Sequence, residues 1–225
     1  MVDPDEWRWI VEHATGGYDH LVIGTSLPLI MAPGLHYLEA WNEAVCDGAW
    51  GRVAAWVGEK IRQAADLEHW AAFGDSFESM CRHIREVGTG QHGEPPATIV
   101  ALSGDVHHAY LAEVAYRRGT GMKSQVWQAV CSPFRNPLDH NERRMMRAGA
   151  SRAGAVITRL LARSARVAPP SVRWRYVHGE PWFDNQVATL VLEGRKATFQ
   201  LQKSEPPPGP DGRLKLERVF EHPLS

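Results

Sequence analysis

Residues 97–114 read ATIVALSGDVHHAYLAEV: two apolar runs around a polar knot, Ser103-Gly104-Asp105-Val106-His107-His108. The first run, 98–102, is nearly continuous in apolar residues, as in a strand buried on both faces at the centre of a sheet. Polar groups are costly in such a place. The knot therefore belongs at the strand's end, where a rigid scaffold presents functional loops. If the extended backbone continues, Asp105 and His107 leave the same face. A carboxylate and a neutral imidazole suit iron, manganese or zinc, whereas calcium takes more oxygen. Gly104 supplies a sharp turn. His108 points the other way, as a supporting group, a proton donor or a filled polar position. The same residues also suit a plain turn, with Asp105 capping it and His107 bonded to a carbonyl.

Outward from the knot, the pattern gives strands at 109–115 and 124–131, read as antiparallel successors of 98–102. Upstream, 5–13 reads as a helix and 20–24 as a buried strand. Leu35, Leu38, Trp41 and Val45 recur at helical spacing and stop at Asp47-Gly48. Residues 50–70 read as a second helix, with Val53, Trp56, Val57 and Ile61 on one stripe. A third, from Ser76, closes at Gly88. Downstream, 141–164 reads as one helix. Strands follow at 172–177, 185–193 and 196–203, the last two joined by Glu193-Gly194-Arg195. The tryptophans read as core. The fold class is α/β, or α+β layered, with helices packed on a mixed or antiparallel sheet. One domain occupies 1–204, and 205–225 is a proline-rich, mobile tail with a short terminal segment.

The bulk numbers exclude several classes. The chain has 225 residues, 44% hydrophobic and 23% charged, with net charge -1. Nothing global points to nucleic acid or a membrane. Cys46, Cys81 and Cys131 are odd in number and widely spaced, which speaks against a disulfide framework and for a reducing compartment. No apolar leader and no stretch of about 20 apolar residues is seen, so the expected location is the cytoplasm. Residues 141–175 hold nine arginines against Glu142 alone. They read as the solvated face of an amphipathic helix, and no interleaved aromatics support base stacking. In CSPFRNP, 131–137, Arg135 and Asn136 are candidate phosphate contacts, since arginine matches phosphate geometry. The same residues also suit an ordinary turn.

LSGDVHHAYLAEV resembles the late metal-binding motif of the PhoD-like (alkaline phosphatase D-related) phosphatases, a branch of the calcineurin-like metallophosphoesterases. HLVIGTSLPLIMAPGLHYLEAWNEA, DLEHWAAFGDSF, VWQAVCSPFRNPL and FDNQVATLVLEGRKA are similar to further segments, and together they cover about 18–203. The resemblance implies a two-sheet sandwich and hydrolysis of phosphate mono- or diesters at a dinuclear centre of iron, manganese, zinc or calcium. Asp105 and His107 then become metal ligands, His108 a catalytic or supporting imidazole, and Arg135 and Asn136 substrate contacts. The family carries its first ligands in an N-terminal half that this chain lacks, so the site is expected to be incomplete. Two or three residues cannot hold two ions. Asp19 and His20 read as polar residues at a strand's entry rather than as substitute ligands. Self-association or a partner chain is then expected to complete the fold, with no specific nucleic acid and no membrane contact. The competing class is a non-catalytic interaction module, which an exposed apolar surface would mark.

Overall fold

The computed structural model describes residues 2–64, 67–132, 138–205 and 215–225. Among them are six α-helices and eight strands. The helices are α1 (Pro4–His13), α2 (Pro33–Cys46), α3 (Arg52–Ala64), α4 (Gly74–Thr89), α5 (His140–Ala150) and α6 (Arg152–Ser164). Five strands form a mixed sheet: β1 (His20–Gly24), β2 (Thr98–Ser103), β3 (Tyr110–Tyr116), β4 (Gln125–Val130) and β5 (Val172–Tyr176), in the order β1-β2-β4-β3-β5. A second, antiparallel sheet holds β6 (Gln186–Glu193), β7 (Lys196–Glu205) and β8 (Lys215–Pro223).

The expected central strand is β2, paired in parallel with β1 and with β4. The next strand in sequence, β3, is not its neighbour: β4 inserts between them, and β3 pairs antiparallel with β4 and β5. Period-two alternation then sorts the side chains. Ile99 and Val126 face a core with Phe77, Ile84 and Val87 of α4 and with Trp70. Val100, Leu111 and Trp127 face Phe199, Leu201 and Leu224. The layers run helices, mixed sheet, three-stranded sheet.

Local chemistry sets several boundaries. Asp3 caps α1 by accepting from the amides of Asp5 and Glu6, and Pro4 opens the helix. Helix α4 runs past Gly88 and closes at Gly90, which takes the left-handed conformation at φ 91°. The expected helix at 141–164 is two helices. Ser151 is extended (ψ 152°), and its hydroxyl caps α6 at the Gly154 amide. The expected helix at 50–70 ends at Ala64, and a separate 3-10 turn covers Trp70–Ala72. The terminal segment after the proline-rich run is strand β8, pinned where Trp127 Nε1 donates to the Leu224 carbonyl at 2.8 Å. The expected mobility of the proline run itself, 206–214, lies outside the described residues.

The apolar stripe of α3 does not face the core. Val53 is 79% exposed and Trp56 66%, while Gly58 is the buried position, set against Val45 and Cys46 of α2. Trp70 and Trp127 are core residues as expected, but Trp50 and Trp56 are exposed. On α6, Ala162 is buried, and Val156, Ile157 and Leu160 face outward. The three cysteines are thiols, and no described helix is long and apolar enough to cross a membrane.

On the buried face of α2, His36 is enclosed by the rings of Phe77 and Trp174, with centroids 4.8 and 4.7 Å away. Its Nδ1 is buried without a hydrogen-bond partner. Desolvation lowers its pKa from 6.5 to about 3. The folded state therefore binds this proton more weakly than the unfolded chain. The neutral imidazole's contribution is complete above pH 6.5 and is lost as pH falls from there toward 3. Between pH 7.5 and 5 that loss is about 2 kcal/mol. Urea unfolding at those two pH values, beside a His36→Phe variant, checks it. The variant's pH slope should be shallower by that amount, and an unchanged slope would contradict the assignment.

Candidate functional site

Because β1, β2 and β4 are parallel, their C-terminal ends open on one edge, the place where open α/β sheets bind ligands. Three loops are tied together there. The Thr25 amide donates to the Leu102 carbonyl at 2.9 Å, Gly104 to Ser26 at 3.3 Å, and Cys131 to Ser103 at 3.2 Å. The His107 amide donates to Ser132 Oγ at 3.2 Å. Deep in the sheet, Gln128 anchors the same edge. Its Oε1 accepts from the amides of Leu29 and Ile30, and its Nε2 donates to the Ala101 carbonyl and Ser103 Oγ.

The knot does not continue the strand. Strand β2 ends at Ser103, and Asp105 (φ 62°) and His107 (φ 53°) are both left-handed. The turn is therefore made at these two residues and not at Gly104. A Cβ on Gly104 would meet the Cys131 carbonyl oxygen at an ordinary 3.7 Å. The shared-face geometry of an extended strand accordingly does not apply. Asp105 is exposed, His107 half-buried and Val106 buried between them. Excursions of this kind cost on the order of 1–3 kcal/mol each unless the residue tolerates them, as Asp and His do better than most.

His108 is fully buried, stacked 5.4 Å from the Tyr110 ring, with the Phe183 ring tilted against it at 5.9 Å. Its Nδ1 donates to the Val106 carbonyl, which leaves the lone pair on Nε2. Burial, with the neighbouring His69 and His107 adding to it, lowers its pKa to about 4. The imidazole is neutral at pH 7.

The sequence reading missed a neighbouring pair. Glu39 of α2, 2% exposed, accepts from His69 Nδ1 at 2.7 Å. Its second oxygen, Oε2, is buried with no hydrogen-bond partner. His69 lies ahead of the 3-10 turn, not on a helix, and acts electrostatically on His108. The sequence signal was a glutamate on the helix face that also carries Leu35 and Val45, with His36 and Asn42 beside it. A separation of 30 positions along the chain hides the pairing.

Arg135 and Asn136 lie outside the described residues. Asp19 and His20 stand at the opposite end of β1. Asp19 faces Arg195 at 3.5 Å, and His20 bonds Thr98 Oγ1 and the Gly194 carbonyl. They are strand-entry groups, as read.

Among the described residues, one group of three His, Cys, Asp or Glu side chains lies close enough to hold a metal ion: His83, Glu86 and His92. It includes neither Asp105 nor His107. Those two are suitable ligand types, but they do not by themselves fit a dinuclear centre. No family model matches the chain, and no curated protein or solved structure does either.

Proposed function

We propose that the chain is a metal-dependent phosphoester hydrolase domain of the PhoD-like type, with a site finished by ligands beyond Asp105 and His107. The observation that carries the reading is the left-handed backbone at both residues, on the edge where parallel strands end. Backbone strain concentrates at functional sites, and here both excursions fall on the two candidate ligands. The motif's resemblance to the PhoD-like phosphatases supplies the reaction class. In this reading Asp105 and His107 are metal ligands. The neutral His108, held by Val106, orients the loop, with the Glu39–His69 pair behind it. Arg135 and Asn136 are the proposed phosphate contacts.

The test is hydrolysis of bis(p-nitrophenyl) phosphate by the full chain with iron, manganese, zinc or calcium supplied in turn, beside Asp105→Ala. The expected result is turnover that the substitution lowers by about 100-fold or more, the scale of losing a charge-stabilising group. Turnover indifferent to Asp105, or none with any metal in a folded sample, overturns the reading.

A second reading, a non-catalytic interaction module, has its own observation. Val53 and Trp56 of α3 and Ile157 and Leu160 of α6 are exposed, although globular proteins rarely spend large apolar residues on solvent in clusters. Sedimentation of the same sample separates the two readings. Assembly without turnover favours the module.

A further inference from the structure

A second site lies at the other end of β2, where α4 finishes. His83 and Glu86 are three residues apart and so share a face of α4. The chain turns at Gly90 and brings His92 back beside them. His92 Nε2 stands 3.3 Å from Glu86 Oε2, and the two imidazole rings have centroids 5.2 Å apart. One ligand atom from each residue lies within 4.8 Å of the others.

The decisive detail is His83. It is 2% exposed, and its Nε2 donates to the Ala14 carbonyl at 2.8 Å. That bond fixes the tautomer and puts the lone pair on Nδ1, which is buried with no hydrogen-bond partner. Buried acceptors are nearly always satisfied, so an orphan needs a reason. An imidazole with one nitrogen donating to a carbonyl and the other holding a bare lone pair is arranged as metal-binding histidines are.

We propose that His83, Glu86 and His92 bind a Zn²⁺ ion, with His83 Nδ1 as the buried ligand and water as the fourth. Two imidazoles and a carboxylate are a common zinc donor set. Ligands at about 2.0–2.1 Å in a tetrahedron stand about 3.4 Å apart, so the ion draws in side chains already near their places. Glu86 and His92 are half-buried, which leaves an entry path and room for the water.

The ion's role is a clasp. Ala14 caps the C-terminus of α1, the Gly16 amide donates to the His92 carbonyl at 2.9 Å, and the Gly17 amide donates to the Glu94 carbonyl at 2.7 Å. Zinc at this point ties α1, α4 and the loop before β2 into one unit. The clasp is independent of Asp105, and its failure would leave the hydrolase reading untouched.

The experiment is calorimetric titration of the metal-stripped full chain with Zn²⁺, with melting temperature followed in parallel. The titration is made in the Asp105→Ala background, so that the proposed site at the knot does not contribute, and because His83 is buried, Glu86→Gln and His92→Ala, both at half-buried positions, carry the test. The expected result is one ion per chain and a raised melting temperature. Affinity should fall by at least about tenfold when Glu86→Gln or His92→Ala is added to that background. No zinc uptake at micromolar concentration, or undiminished affinity in both variants, overturns the proposal.

Discussion

Phe199→Ala should destabilise the protein by about 3–5 kcal/mol, the range for emptying a large aromatic site in a packed core. Phe199 sits mid-strand on β7, 2% exposed, in the cluster where Val100, Leu111 and Trp127 of the mixed sheet meet the second sheet. Its neighbours cannot collapse into the gap, since β7 is held on both sides by β6 and β8. Phe199→Leu keeps most of the apolar volume and should cost much less. Urea unfolding of the two variants checks the ordering. A loss below about 1 kcal/mol for alanine would mean that the two sheets do not share a core.

The second large effect is expected at Gln128. Gln128→Leu keeps the volume and removes every hydrogen bond. The Leu29 and Ile30 amides, at 3.0 and 3.3 Å from Oε1, would lose their acceptor inside the protein. An unsatisfied buried amide costs about 1–3 kcal/mol, so the pair predicts a loss of about 3 kcal/mol. Gln128→Glu keeps the acceptor but buries a charge, and should do no better. Amide hydrogen exchange at Leu29 and Ile30 reports the mechanism directly. Protection there should collapse before it does in β2. Equal protection in wild type and variant would show that the loop holds itself.

Elements whose cause is local were legible in the sequence. The helix at 33–46 follows from apolar period and the 194 turn from its glycine, whereas β1 was legible as a strand but not as the buried strand expected: it is the edge of its sheet, with Val22 40% exposed. Strand β2 was legible as central because both of its faces are apolar. Its neighbours were not, because period says which face a residue takes and not which strand lies alongside. The break at Ser151 was missed because the amphipathic pattern runs through it, and a serine hydroxyl decides the matter at one atom. The α3 stripe shows the opposite failure: the period was right, but nothing local says whether the stripe meets the protein or solvent. Asp105 and His107 stood out by residue type. Their left-handed backbone did not, and neither did Glu39–His69 nor the unpaired nitrogen of His83, since each depends on what the fold brings near.

The pairing of β1 with β2 has a kinetic consequence. His20 and Thr98 are partners across 78 residues of chain. Closing so long a loop is entropically uphill until the sheet repays it, and topologies rich in such pairings fold slowly. On a ribosome adding about 5–20 residues per second, β1 waits several seconds for its partner to emerge. Helices α2, α3 and α4 are made in that interval and can form first. For that time β1 is an unpaired apolar ribbon, and the nascent chain's need for a chaperone should be concentrated there.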